Sequence, residues 1–305
     1  RNTINAFTGV NVRWRREGGG EWRAFYVLPV QRRPRGADAL ADNELEIDRE
    51  RANARFWSVW AAWPLQDAKV ETYVYGLNER DSASSATSNR RLYTPGARLV
   101  LAERPGAFDF EIESSWQFGT ARDSRSPTDT RDLTVRARFH QINLGYTWDT
   151  AWRPRLSLEH SYVSGDRDPE DGRLGRYDTL FGIRRTDFGQ TGIHGPLGRS
   201  NIQGPSVRLK FNQGRIDGRI HYKAAFLASK TDAWRQAGLR DQTGQSGRTI
   251  GNHISGRVRA WLREDRVRLA VGGAILLKGE FARNAPGAPD TGDTGYAYVQ
   301  LTTKF

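Results

Sequence analysis

The sequence has no cysteine and no methionine, and only six of its 47 basic residues are lysine. Without cysteine there is no disulfide framework, no thiolate zinc site and no thiol nucleophile. No stretch approaches the roughly 20 apolar residues that a membrane helix needs. The front of the chain lacks the charged-then-apolar pattern of a signal segment. Residue 1 is Arg rather than Met, so the expectation is a processed chain or part of a longer one. The five histidines, at 140, 160, 194, 221 and 253, match no HExxH spacing, and no GxSxG elbow or Walker loop is present. No catalytic residue, metal site or cofactor is therefore expected.

What is present is arginine, glycine and aromatics. The 305 residues carry a net charge of +12, with 32 glycines and 11% Phe, Trp and Tyr. That aromatic content argues against a disordered chain. So basic a protein first suggests nucleic acid. A nucleic-acid binder would gather its basic residues on one surface with a known motif. Here they recur on alternate positions along nearly the whole chain, and no nucleic-acid partner is expected.

The dominant period is two, the signature of strands. Ala297, Val299, Leu301, Thr303 and Phe305 share one face, while Tyr296, Tyr298, Gln300, Thr302 and Lys304 share the other. About thirteen such segments run over 3–15, 21–31, 50–63, 67–78, 91–103, 108–120, 132–149, 153–164, 204–212, 216–228, 249–262, 266–281 and 294–305. Most exceed the 5–6 residues usual in soluble strands and match the 9–11 of a tilted membrane-spanning strand. Short connections alternate with long ones, as in an outer-membrane barrel with tight periplasmic turns and large external loops. The predicted fold is all-β, one antiparallel transmembrane β-barrel domain over 1–305. Such barrels have even strand numbers, so at least one strand is expected upstream. One segment changes phase: Leu133, Val135, Ala137 and Phe139 are odd-numbered, but Ile142, Leu144, Tyr146 and Trp148 are even. A β-bulge near His140–Gln141 would reconcile them.

In a bilayer the apolar face of each strand meets lipid, and the polar face lines the interior. The expected lining is Arg13, Arg23, Arg51, Arg55, Arg98, Arg136, Arg138, Arg155, Arg208, Lys210, Arg219, Lys223, Arg257, Arg259, Arg266 and Arg268, with acids at Asp109, Glu111, Glu113 and Glu159. Excess positive charge in a pore concentrates anions. Trp14, Trp22, Trp57, Trp60, Trp63, Tyr93, Trp148, Trp152, Trp261 and Phe305 lie near segment ends, as interfacial girdles require. The acidic group Asp166, Asp168, Glu170 and Asp171 could offer oxygen ligands to Ca²⁺. Tyr177 stands where an EF-hand would need a bidentate Glu, so a solvated loop is expected instead.

The longest connection is the most distinctive. S-G-D at 164–166, G-R-L-G-R-Y-D-T-L-F-G at 172–182 and D-F-G at 187–189 together resemble the alginate-export family of outer-membrane proteins. The resemblance is clearest over about 150–215. It implies a barrel of about 18 strands, within the range of such proteins, of which this chain would supply the C-terminal portion. It also implies passage of alginate, a polyanionic uronic-acid polymer, through an Arg-rich constriction. Asp178, Arg184, Arg185 and Asp187 fall in the matching loop. They either fold inward as that constriction or pair with one another outside. The expected partners are outer-membrane lipid, an anionic saccharide or other small anionic solute, and a periplasmic protein. The competing reading is a barrel adhesin or barrel enzyme whose interior Arg–acid ladder is only structural.

Overall fold

The computed structural model describes residues 5–34, 36–82, 86–182 and 195–304. Thirteen long strands are present among them: β1 (Phe7–Arg15), β2 (Glu21–Gln31), β4 (Ala54–Leu65), β5 (Ala68–Glu79), β6 (Arg91–Leu101), β7 (Ala107–Ala121), β8 (Leu133–Thr147), β9 (Arg155–Val163), β11 (Ile202–Gln213), β12 (Ile216–Phe226), β13 (Thr249–Arg263), β14 (Val267–Lys278) and β15 (Thr294–Thr303). Two-residue strands β3 (Arg49–Glu50) and β10 (Arg173–Leu174) and short helices α1 (Ala37–Ala41) and α2 (Glu280–Asn284) sit in the long connections. The strands form one antiparallel sheet in which the long ones follow each other in chain order, as in a barrel wall. Tight turns alternate with long loops throughout. One of the two tightest joins Gln213 to Ile216, where Gly214 takes a φ of 53° that a hairpin turn needs and glycine supplies without strain.

Two compact units make up the chain, one of residues 2–97 with 116–136 and one of 98–115 with 137–305. Both have an inverted exposure pattern. In the first, Val10, Val12 and Trp14 on β1 are 65%, 58% and 58% exposed, while Ser58 and Gln117 are buried. In the second, Leu158, Val258, Val299 and Leu301 are exposed, while Asp109, Ser157, Glu159, Lys223 and His253 are buried. A water-soluble sheet would do the opposite. An apolar face turned outward is what a hydrocarbon solvent selects.

The phase change in β8 has a different cause from the expected bulge. β8 pairs with β9 without interruption from Phe139↔Val163 to Thr147↔Arg155. The odd residues lie on one face throughout: Leu133, Val135, Ala137 and Phe139 first, then Gln141, Gly145 and Thr147, all buried. Their polarity changes because their surroundings change. At the long-loop end Phe139 joins a hydrophobic core with Val163, Ile202, Leu227, Ile250, Leu276, Phe281 and the loop residues Leu197, Trp234 and Leu239. At that end, therefore, the inner face of the strands is apolar and packed, as in a soluble protein, and on β8 the outer face turns polar at Thr134, Arg136 and Arg138.

Candidate functional site

In the larger unit, the registers of β8, β9, β11, β12 and β13 align polar side chains into transverse rows. One row runs Thr147, Arg155, Lys210, Arg219 and Arg257, each the direct cross-strand partner of the next. Four consecutive strands thus hold four cations at one level, close to the short turns. Neighbouring rows add Ser157, Arg208, His221 and Ser255, then Asp217 and Arg259. A cavity of about 380 Å³ opens here, lined among others by Arg155, Lys210, Arg219, Arg257, Arg259, Asp217 and Glu103.

Acids neutralise part of this charge. Arg155 is buried and its Nε donates to Asp109 Oδ2 at 2.8 Å, with Glu103 at 3.5 Å. Arg155 reaches Asp109 on β7 across β8, and Gly145 makes room for it. A Cβ on Gly145 would collide with the Arg155 guanidinium. Lys210 Nζ donates to Glu103 at 2.5 Å, Arg208 to Glu159 at 3.1 Å, Arg259 Nε to Asp217 at 2.9 Å and Arg98 Nε to Glu111 at 2.9 Å. Arg219 and Arg257 form no ion pair among the described residues, and the Arg257 Nε is buried without a hydrogen-bond partner. Of the four adjacent cations, two therefore lack an ion-pair partner among the described residues.

The long connection after β9 builds a polar scaffold beside the hydrophobic core. Asp232 is fully buried and forms an ion pair with Arg176, and it also accepts from the Asp166 backbone N–H at 2.9 Å. Asp166 Oδ1 accepts from the Gly175 N–H at 2.9 Å. Tyr177 Oη lies 2.8 Å from Ser115 Oγ, and burial pushes its phenol up to about 12. The S-G-D and G-R-L-G-R-Y-D runs are thus the hydrogen-bonding frame of this loop. Asp168 and Asp171 accept from the backbone N–H groups of Glu170 and Arg173, as turn caps do. No group of acids and histidines suited to a metal occurs among the described residues.

The sequence profile of the Alginate export family matches residues 1–294, nearly the whole chain. The chain belongs to the alginate-export family. No curated protein matches it. The family is one of outer-membrane β-barrel proteins for transport and export, and this member is an outer-membrane protein by that membership and its all-β fold.

Among the lining residues expected in this alginate-export family member, Arg98, Arg155, Arg208, Lys210, Arg219, Lys223, Arg257, Arg259, Arg268, Asp109, Glu111, Glu113 and Glu159 lie on the polar face of the larger unit. In the other unit Arg13 and Arg23 share the polar face, and with Arg15 they surround Glu21. Five expectations are corrected. Arg55 shares its face with Trp57 and Val59 and points outward. Arg136 and Arg138 lie on the exposed, even-numbered side of β8 at its long-loop end, where the outer face has turned polar. Arg51 precedes β4 and Arg266 sits in the turn before β14, so neither belongs to the wall. Arg184, Arg185 and Asp187 lie outside the described residues. Asp178 caps a turn, accepting from the Leu180 N–H at 2.7 Å.

The expected girdle also divides. Trp14, Trp63, Tyr93, Trp148 and Trp152 are exposed on the apolar side, and Trp22 packs on Trp14 with centroids 4.5 Å apart. Trp60 instead faces inward beside Arg23, and Trp261 lies between Arg268 and Lys304. Sequence reasoning missed Gly145 and the inward aromatics. The alternation itself carried the second signal: Phe25, Phe56, Tyr73 and Tyr75 have the same parity as Arg23 or its cross-strand partner.

Proposed function

We propose that this chain walls an outer-membrane pore that passes an anionic saccharide, with alginate or a related uronate polymer as the solute class. The observation that carries the reading is the cationic row Arg155, Lys210, Arg219 and Arg257. Like charges placed directly opposite each other destabilise a sheet, so structural pairing alone gives no reason for this row. An anion passing the row supplies the missing counter-charge. Arginine suits a uronate because its planar fork binds a carboxylate through two parallel hydrogen bonds. Several weak sites in series permit passage rather than capture.

In this reading the polar-face cations and their acids line the pore, and the short-turn end faces the periplasm, where an export partner would dock.

Reversal potentials across a planar bilayer under a salt gradient test the function. The wild type should prefer anions. Arg219→Gln with Arg257→Gln should lower the anion-to-cation permeability ratio about thirtyfold, because each of the two contact charges removed is worth ~1 kcal/mol in water. A cation-selective wild type, or no channel at all, would sink the proposal.

A further inference from the structure

The smaller unit carries the opposite anomaly from the cationic row. Its polar face holds aromatic rings. The registers of β1, β2, β4 and β5 stack three rows: Val27, Phe56 and Leu77; Phe25, Ser58 and Tyr75; Arg23, Trp60 and Tyr73. Phe7 on β1 extends the patch. Phe25 lies 5.1 Å and Tyr75 6.0 Å from Phe56, centroid to centroid. Tyr73 is 5.1 Å from Tyr75, and Phe7 is 6.1 Å from Phe56. Phe25, Trp60, Tyr73 and Tyr75 are half-buried, so each keeps ring surface open. The rows span about 13 Å along the strands, at about 3.3 Å per residue.

A packed core does not explain this patch. The hydrophobic core of the long loops belongs to the other unit, and these rings lie on the side opposite Trp57 and Val59, which meet lipid. An open aromatic surface of this kind marks a binding surface. Its lower border is charged. Arg23 lies over the Trp60 ring at 5.2 Å, Arg13 is its cross-strand neighbour, and both guanidinium groups are about half exposed.

We infer that this patch is a stacking site for sugar rings, with the pyranose C–H faces on Phe25, Tyr75, Tyr73 and Trp60 and a ring carboxylate toward Arg23 and Arg13. The inference rests on the saccharide-pore reading and gives it a second site. The two chemistries are separable. The Arg219–Arg257 row recognises charge, whereas stacking recognises the ring and holds neutral sugars as well.

Current block in planar bilayers tests it, with two probes: an oligomer of mannuronate and a neutral β-linked glucose oligomer of equal length. Phe25→Leu with Tyr75→Leu removes the flat rings while keeping apolar bulk. It should weaken block by both probes about thirtyfold, about fivefold for each of the two aromatic contacts removed. Trp57→Leu, on the opposite face of β4, should change neither. Arg219→Gln with Arg257→Gln should weaken block by the mannuronate oligomer alone. Open-channel conductance and reversal potential in the same traces report whether the pore reading itself holds. An anion-selective wild type that neither neutral nor charged oligomer blocks would overturn the stacking site and leave the anion pore standing. Equal block of the wild type and the Phe25→Leu, Tyr75→Leu variant would do the same.

Discussion

Asp109→Asn tests whether the ion pair beneath the cationic row holds the wall together. Asp109 and Arg155 are 4% and 3% exposed, so neither can turn to water when its partner is lost. The carboxylate accepts from both Nε and Nη2 of Arg155, and Asn143 takes a further, longer contact at 3.2 Å. Removing one member of a buried pair typically costs 3–5 kcal/mol. Glu103, half exposed and 3.5 Å from Arg155, takes up part of the stranded charge. The expected loss is therefore at the low end, about 3 kcal/mol. Arg155→Gln should cost about as much, because it strands the carboxylate. The double variant leaves two amides that can hydrogen-bond to each other and should lose only about 1 kcal/mol. Urea titration of protein refolded in lipid vesicles, read by its ten tryptophans, measures all three. A double variant whose loss equals the sum of the two singles would refute the buried, coupled pair.

The loops give two further predictions. The Tyr177 phenol is pushed up to about 12 by burial, above its ordinary value of about 10. Unfolding releases its proton more readily between those values, so stability should fall as pH rises from 10 to 12 and should be unaffected below. Tyr177→Phe should abolish that alkaline slope and cost about 1 kcal/mol at neutral pH through the lost Ser115 contact; an unchanged slope would assign it to another group. Asp241 accepts from the N–H and hydroxyl groups of both Thr243 and Ser246, which hold its carboxyl well below the usual range. A depressed carboxyl stabilises the loop above its ordinary value and loses that contribution as pH falls through the folded value. Asp241→Asn should speed protease cleavage within 240–247 at neutral pH, and equal cleavage rates would count against this anchor.

The wall was legible in the sequence because period-two alternation needs only the identity of each residue and its parity. All thirteen long strands fall on the segments read from that pattern, although β4 begins at Ala54 rather than 50. The face of individual arginines was less legible. Arg136 and Arg138 look identical in sequence to Arg257 and Arg259: basic residues alternating with apolar ones. Which side is polar depends on depth in the membrane, and one strand does not encode depth. The ion pairs were hidden for another reason. Arg155 meets Asp109 across an intervening strand, so the pairing depends on a glycine at 145 and on a register that no local pattern fixes. Trp60 shows the same limit, since parity gives its face but a girdle assignment by position alone ignores it.

The uninterrupted course of β8 has a consequence for mutation. Within a single strand the tolerance for charge reverses. Around Leu144, on the lipid side, an arginine would cost about 2–4 kcal/mol near the bilayer midplane. Six residues earlier Arg138 occupies the same side, exposed and carrying its guanidinium over Tyr162. On the opposite side the order is inverted: polar residues fit at 141 and 143, whereas at Phe139 a charge would enter the packed core. A deep substitution scan along 133–147 would therefore yield two interleaved profiles that cross near residue 140. Their crossing point would locate the outer boundary of the hydrocarbon layer on the chain without any label or lipid probe.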